Sequence, residues 1–144
     1  AEALCAAGIG PDPARVVESL PNREGGRDGL ARLLALPAPP TAIVCFNDVV
    51  AFGVLNGLAA RGLAAGRELA VIGFDDIADA AQVSPALTTL RVAVRGRGAN
   101  AGQGLLQRNT APQQPVADIE GEVMLVVRAS CGAAHAASWR GEAA

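Results

Sequence analysis

The chain has 144 residues, a formal net charge of −2 and an apolar fraction of 51%, which is room for one domain with a core and is not the composition of a disordered segment. All 12 basic residues are Arg, with no basic run and no helix-turn-helix pattern, so nothing in these residues provides a general attraction to DNA phosphates. Cys5, Cys45 and Cys131 are odd in number and widely spaced, which excludes a disulfide framework and gives no metal-ligand spacing. No apolar stretch reaches membrane-spanning length.

Residues 1–7 read as the last turns of an amphipathic helix closed by Gly8. No start signal precedes them, which predicts a parent sequence that extends upstream. A turn with two prolines follows, and the Val-Val pair within Arg15–Glu18 predicts a short strand. Leu20-Pro21-Asn22 is a loop. Glu24–Leu36 has helical spacing, with Leu30, Leu33 and Leu34 on the buried face, and Pro37–Pro40 stops it. Thr41–Phe46 is a continuous apolar, β-branched run, which predicts a strand covered on both faces. Asn47-Asp48 is a natural N-cap for a helix over Asp48–Arg61, with Gly62 and Leu63 closing it. Leu69–Phe74 predicts a second buried strand, ended by Asp75-Asp76.

Strand, helix, strand, helix, strand is the pattern of an α/β fold with a parallel sheet flanked by helices. Beyond Asp76, Ile77–Val83 reads as a short helix broken at Ser84-Pro85, and Leu87–Val94 as a strand. Gly96–Arg108 has helical spacing but contains four glycines, each costing about 1 kcal/mol against Ala, so it needs packing to support it. Asn109–Ile119 is a polar connector, Val123–Val127 a last strand, and residues 131–144 a loose tail.

In open α/β sheets, ligands bind beyond the carboxyl ends of the strands. Three such ends bring Leu20-Pro21-Asn22, Asn47-Asp48 and Asp75-Asp76 to one edge. Amide and carboxylate groups suit the hydroxyls of a sugar or a similar polar molecule. Each of these residues could equally cap the segment that follows it, and the two roles are compatible. No catalytic constellation is present: His135 and Trp139 fall in the tail, Ser84 and Ser130 have no activating His, and Glu24-Gly25-Gly26-Arg27 lacks phosphate-loop spacing. No metal or cofactor is expected, and no enzymatic activity.

Four blocks in register carry a more specific likeness: Asn22-Arg23-Glu24-Gly25-Gly26; Pro40 through Leu55, with Thr41-Ala42-Ile43 and Asn47-Asp48; Val71-Ile72-Gly73-Phe74-Asp75-Asp76-Ile77 with Ser84-Pro85-Ala86-Leu87-Thr88-Thr89-Leu90-Arg91; and Leu125-Val126-Val127-Arg128-Ala129-Ser130. They resemble the LacI/GalR (lactose-repressor) family of transcriptional regulators, in the C-terminal part of its periplasmic-binding-protein-like type I sensor domain. The resemblance implies a partial effector-sensing domain over 1–130. Its C-terminal subdomain would comprise 1–84 and 122–130, and residues 85–112 would belong to the N-terminal subdomain. It implies effector contacts from Asn47 and Asp75, with Asn22 and Pro21 in the loop where the family often has a stacking aromatic. Asp48 and Asp76 are read as mainly structural. The implied partners are a sugar-like effector, a second copy in a homodimer with 48–61 and 77–83 near the interface, and operator DNA through a headpiece outside these residues. The implied location is cytoplasmic. A periplasmic sugar-binding protein of an ABC transporter shares the fold and is the alternative. With one wall of a two-walled cleft, these residues alone are expected to bind effector poorly and to self-associate.

Overall fold

The computed structural model describes residues 2–10, 12–92, 94–111, 113 and 121–133. In chain order the elements are α1 (Glu2–Ala6), α2 (Arg23–Leu34), β1 (Ala42–Val44), α3 (Asp48–Ala59), β2 (Ala70–Asp75), β3 (Thr88–Val92), α4 (Val94–Thr110) and β4 (Val123–Val126), with single 3₁₀ turns at Pro13–Arg15, Ala78–Ala81 and Ala129–Cys131. The strands form one sheet in the order β1-β2-β3-β4. β1, β2 and β3 run parallel, and β4 joins β3 antiparallel with Leu90 opposite Leu125. The sheet is therefore mixed: the expected parallel arrangement holds for three strands and the fourth reverses.

The core lies between the sheet and the α2–α3 pair. Leu30, Phe52, Leu58, Val71 and Leu87 are its largest fully buried apolar side chains. Small residues let the two helices approach backbone to backbone. A Cβ on Gly26 would strike the Val50 carbonyl, and one on Gly53 would strike the Arg23 carbonyl. The Arg23 guanidinium lies 5.2 Å above the Phe52 ring, a favourable cation–π distance. Gly62, at φ +69°, closes α3 as expected, with Leu63 packed against the core.

Three expectations change. The strand predicted at Val16-Val17 is extended chain with no partner strand among the described residues; the Glu18 carbonyl instead accepts from the Arg32 side chain at 3.0 Å. β1 is covered on one face only: Cys45 is buried, but Val44 is 76% exposed and Phe46 79% exposed. Strand side chains alternate in direction, and α2 and α3 cover just one face of this edge strand. Third, the predicted helix over 77–83 is a 3₁₀ turn of four residues.

The glycine-rich segment 96–108 does form a helix, as part of α4. Every described side chain from Gly98 to Thr110 is exposed, so the packing it was expected to need is absent among the described residues. β4 is similarly open, with Val123, Met124 and Leu125 all exposed. Residues 129–132 dock onto the loop before β2, with Gly132 against Gly66. The expected tail beyond residue 133, with His135 and Trp139, lies outside the described residues, as does most of the 109–119 connector.

Candidate functional site

The β1 and β2 carboxyl ends open onto a hollow of about 400 Å³ lined by Phe46, Asn47, Phe74 and Asp75. Its position beyond parallel strand ends is the one the topology favours for ligands. Asn47 is the N-cap of α3, its Oδ1 accepting from the Val50 amide at 2.9 Å. That leaves the Nδ2 amide hydrogens of Asn47 as donors at the hollow. Asp75 adopts φ +110°, and its carboxylate makes no hydrogen bond or ion pair among the described residues. Partial desolvation, and secondarily the carboxylate of Asp48, push the Asp75 carboxyl above its ordinary value. Donor and acceptor thus line the same hollow as two aromatic residues.

Asn22 and Pro21 do not join them. Both are exposed and neither lines the hollow. Asn22 caps α2, its Oδ1 accepting from the Gly25 amide at 2.8 Å.

The neighbouring acidic residues do different work. Asp48 is fully buried, and its Oδ1 accepts from the Thr89 hydroxyl at 2.6 Å while its Oδ2 accepts from the Ile77 amide at 2.9 Å. Gly73 makes room for it, because a Cβ there would collide with the Asp48 carboxylate. One side chain thereby ties the start of α3 to β3 and to the chain just past Asp75-Asp76. The same carboxylate, after burial itself, helps push the Cys45 thiol up to about 12. Cys45 is therefore a neutral core group, since the thiolate is the reactive form.

Asp76, at φ +53°, is held from two sides. Arg91 Nε donates to its Oδ2 at 2.6 Å and Arg128 Nη2 donates to its Oδ1 at 2.7 Å. Burial alone would raise its carboxyl, but the two guanidinium groups outweigh burial and hold it below the usual carboxylate range. Arg128 also donates to the Leu87 carbonyl at 2.8 Å. Next to it, Ser130 is fully buried. Its hydroxyl donates to the Val71 carbonyl at 2.7 Å and accepts from the Thr88 amide at 2.8 Å, joining β2 to β3. Asp76 is thus anchored by residues from β3 and from the segment after β4.

Sequence reasoning missed Phe46 and Phe74 as lining residues because an apolar strand run reads as core. It missed Thr89, Arg91, Arg128 and Ser130 as supports because their partners are distant in the chain. Among the described residues no group of His, Cys, Asp and Glu is arranged to hold a metal ion, and no helix is long and apolar enough to cross a membrane.

Comparison with known proteins agrees with this architecture. Residues 1–131 match the periplasmic binding protein-like domain family. The transcriptional repressor PurR of Pasteurella multocida is 33% identical over 129 residues, which cover 90% of this chain and 39% of PurR. The structure of a LacI-family transcriptional regulator from Enterococcus faecium with bound ribose superposes with a TM-score of 0.77 at 27% identity, over 90% of this chain and 47% of that one. The complex of the regulator CelR with cellobiose gives 0.82 at 27% identity, over 90% and 39%. The chain spans between about a third and two fifths of the length of the curated relatives it matches. These relatives are regulators of transcription. The chain belongs to the periplasmic binding protein-like domain family, in the form found in the sensor domains of LacI-family regulators.

Proposed function

We propose that the chain forms one wall of the effector site of a transcriptional regulator and that the effector is a sugar or a similar polyhydroxylated molecule. The observation that carries this is that the Asn47 amide donor and an Asp75 carboxylate with no partner among the described residues line the same hollow. A hydroxyl can accept from the first and donate to the second, and neighbouring hydroxyls can engage both at once. Bound ribose and cellobiose in the two structural relatives support the same class of ligand. Asp48 and Asp76 serve the site indirectly by holding the chain at 75–77. In the working protein a second wall would close over the hollow, operator DNA would be engaged by a separate headpiece, and the assembly would be a cytoplasmic homodimer. α3 offers little open surface for that dimer: between Asp48 and Leu58, Asn56 is the exposed side chain.

The test is Asp75→Ala in the full-length regulator. Loss of this acceptor leaves a ligand hydroxyl unpaired, and a site built to hydrogen-bond its ligand discriminates strongly against a missing partner. The expected outcome is at least a tenfold rise in the effector concentration needed for half-maximal change in operator occupancy, with operator affinity in the absence of effector unaltered. An unchanged effector response would refute the assignment.

A further inference from the structure

We propose that Asp76 is a positioning residue for the effector site: by holding the guanidinium groups of Arg91 and Arg128 it keeps Arg91 from pairing with Asp75, and so leaves the Asp75 carboxylate open to ligand hydroxyls. The inference rests on the effector-site reading above and adds how the acceptor of that site stays unpaired. It starts from the register of β2 and β3, in which Arg91 lies opposite Asp75. Neighbouring strands run about 5 Å apart and paired positions share a face of the sheet, so a side chain as long as Arg has that carboxylate within reach. Opposite charges so placed attract. Yet Arg91 Nε donates to Oδ2 of the next residue, Asp76, at 2.6 Å, and Asp75 makes no ion pair among the described residues.

Two features divert Arg91. The first is backbone geometry: φ is +110° at Asp75 and +53° at Asp76, which breaks the strand alternation where the two carboxylates stand. The amides that follow are fastened, Asp76 N–H to the Thr89 hydroxyl at 3.4 Å and Ile77 N–H to the Asp48 carboxylate at 2.9 Å. The second is burial. The Asp76 side chain is 5% exposed, so water screens its attraction for a guanidinium less than it screens that of the exposed Asp75.

The two arginines are not equivalent. Arg128 is fixed by a second donor on the Leu87 carbonyl at 2.8 Å, and its backbone amide donates to the Thr88 hydroxyl at 2.8 Å. The Arg91 side chain is 55% exposed and has Asp76 as its one partner among the described residues. Once Asp76 loses its charge, Arg91 is the cation able to move, and the neighbouring carboxylate is Asp75. A guanidinium fork on that carboxylate occupies the oxygens that ligand hydroxyls need.

The experiment measures D-ribose, D-glucose and cellobiose by calorimetry on the full-length protein. It compares the unaltered protein with Asp75→Ala, Asp76→Asn, Asp76→Glu, Arg91→Met and the double variant Asp76→Asn with Arg91→Met. Asn tolerates the left-handed backbone at position 76, so the exchange removes the charge and little else. At least one sugar is expected to bind the unaltered protein, and Asp75→Ala to weaken it at least tenfold. Asp76→Asn is expected to weaken the same sugar at least tenfold, while Asp76→Glu and Arg91→Met each stay within threefold. The deciding result is the double variant, which should return to within threefold of the unaltered protein, because the cation that blocks Asp75 is gone. A residue that merely holds the chain in place gives the opposite: removing a further partner leaves binding as weak or weaker. That outcome overturns the proposal, as does Asp76→Asn binding within twofold of the unaltered protein, or an Asp76→Asn protein that fails to fold and is not restored by Arg91→Met. In each of these cases a normal loss in Asp75→Ala leaves the effector site standing. If Asp75→Ala binds as the unaltered protein does, or none of the three sugars binds the unaltered protein, both readings fall together.

Discussion

α3 and α4 both carry glycines, yet the two helices have opposite fates. α3 buries nine of its 12 residues; Gly53 marks where the α2 backbone comes within touching distance, and Gly57 where the Leu30 side chain does. α4 carries Gly98, Gly102 and Gly104, and a Cβ at any of them would meet nothing within 4 Å. The same residue type is a packing requirement in one helix and, among the described residues, faces open space in the other. Glycine content alone therefore says little about a helix; what faces the glycine decides.

Substitutions sharpen that contrast. The largest effect is expected from Gly53→Val, whose side chain must displace the Arg23 carbonyl of α2. Overpacking at a backbone contact with no flexible end to yield costs about 3 kcal/mol. Urea denaturation should register it as a lower midpoint, and a midpoint within error of the unaltered chain would mean that α2 and α3 do not cross at these glycines. Next is Asp48→Ala, which leaves the Thr89 hydroxyl and the Ile77 amide without their acceptor. Release of a buried charge offsets part of that loss, leaving a net cost of about 2 kcal/mol, which the same titration should resolve. Smallest is Gly102→Ala in α4, worth about 1 kcal/mol to the helix itself. Because the described α4 side chains from Gly98 to Thr110 are all exposed, the gain should stay local. Circular dichroism should show more helix at low temperature with no shift in the unfolding midpoint, and a parallel rise in the midpoint would mean that α4 is coupled to the core.

The difference between legible and illegible parts follows the reach of the interactions. α2, α3 and β2 could be read from local periodicity and capping residues. Leu30 and Leu33 repeat at helical spacing, Asn47 precedes an apolar helix, and Val71-Ile72 lies in an unbroken apolar run. The paired roles of Asp75 and Asp76 depended on more. Asp76 becomes structural because Arg91 and Arg128 arrive from β3 and from beyond β4, and no spacing rule announces that meeting. β1 was misjudged for a related reason. An apolar run is the same whether a strand is covered on one face or two, and Phe46 emerges from the core only once α2 and α3 are seen on a single side. Asn22 and Pro21 had the right neighbourhood in the chain, but neither lines the hollow, and the Asn22 side chain caps α2.

The Ser130 hydroxyl sets an order on how the chain can be assembled. Its bonds to the Val71 carbonyl and the Thr88 amide stitch β2 to β3, and it comes 59 residues after the first of these partners. As the polypeptide leaves the ribosome, the α2–α3 hairpin-like pair and the β1–β2 seam can close while the later chain is still being made. The β2–β3 ladder can pair through its own backbone, but this added stitch cannot form until Ser130 has emerged. Parallel strand pairs of such long range form slowly and leave their edges open to other chains meanwhile. The β2–β3 edge beside Asp75 is thus held less firmly until that stitch is made.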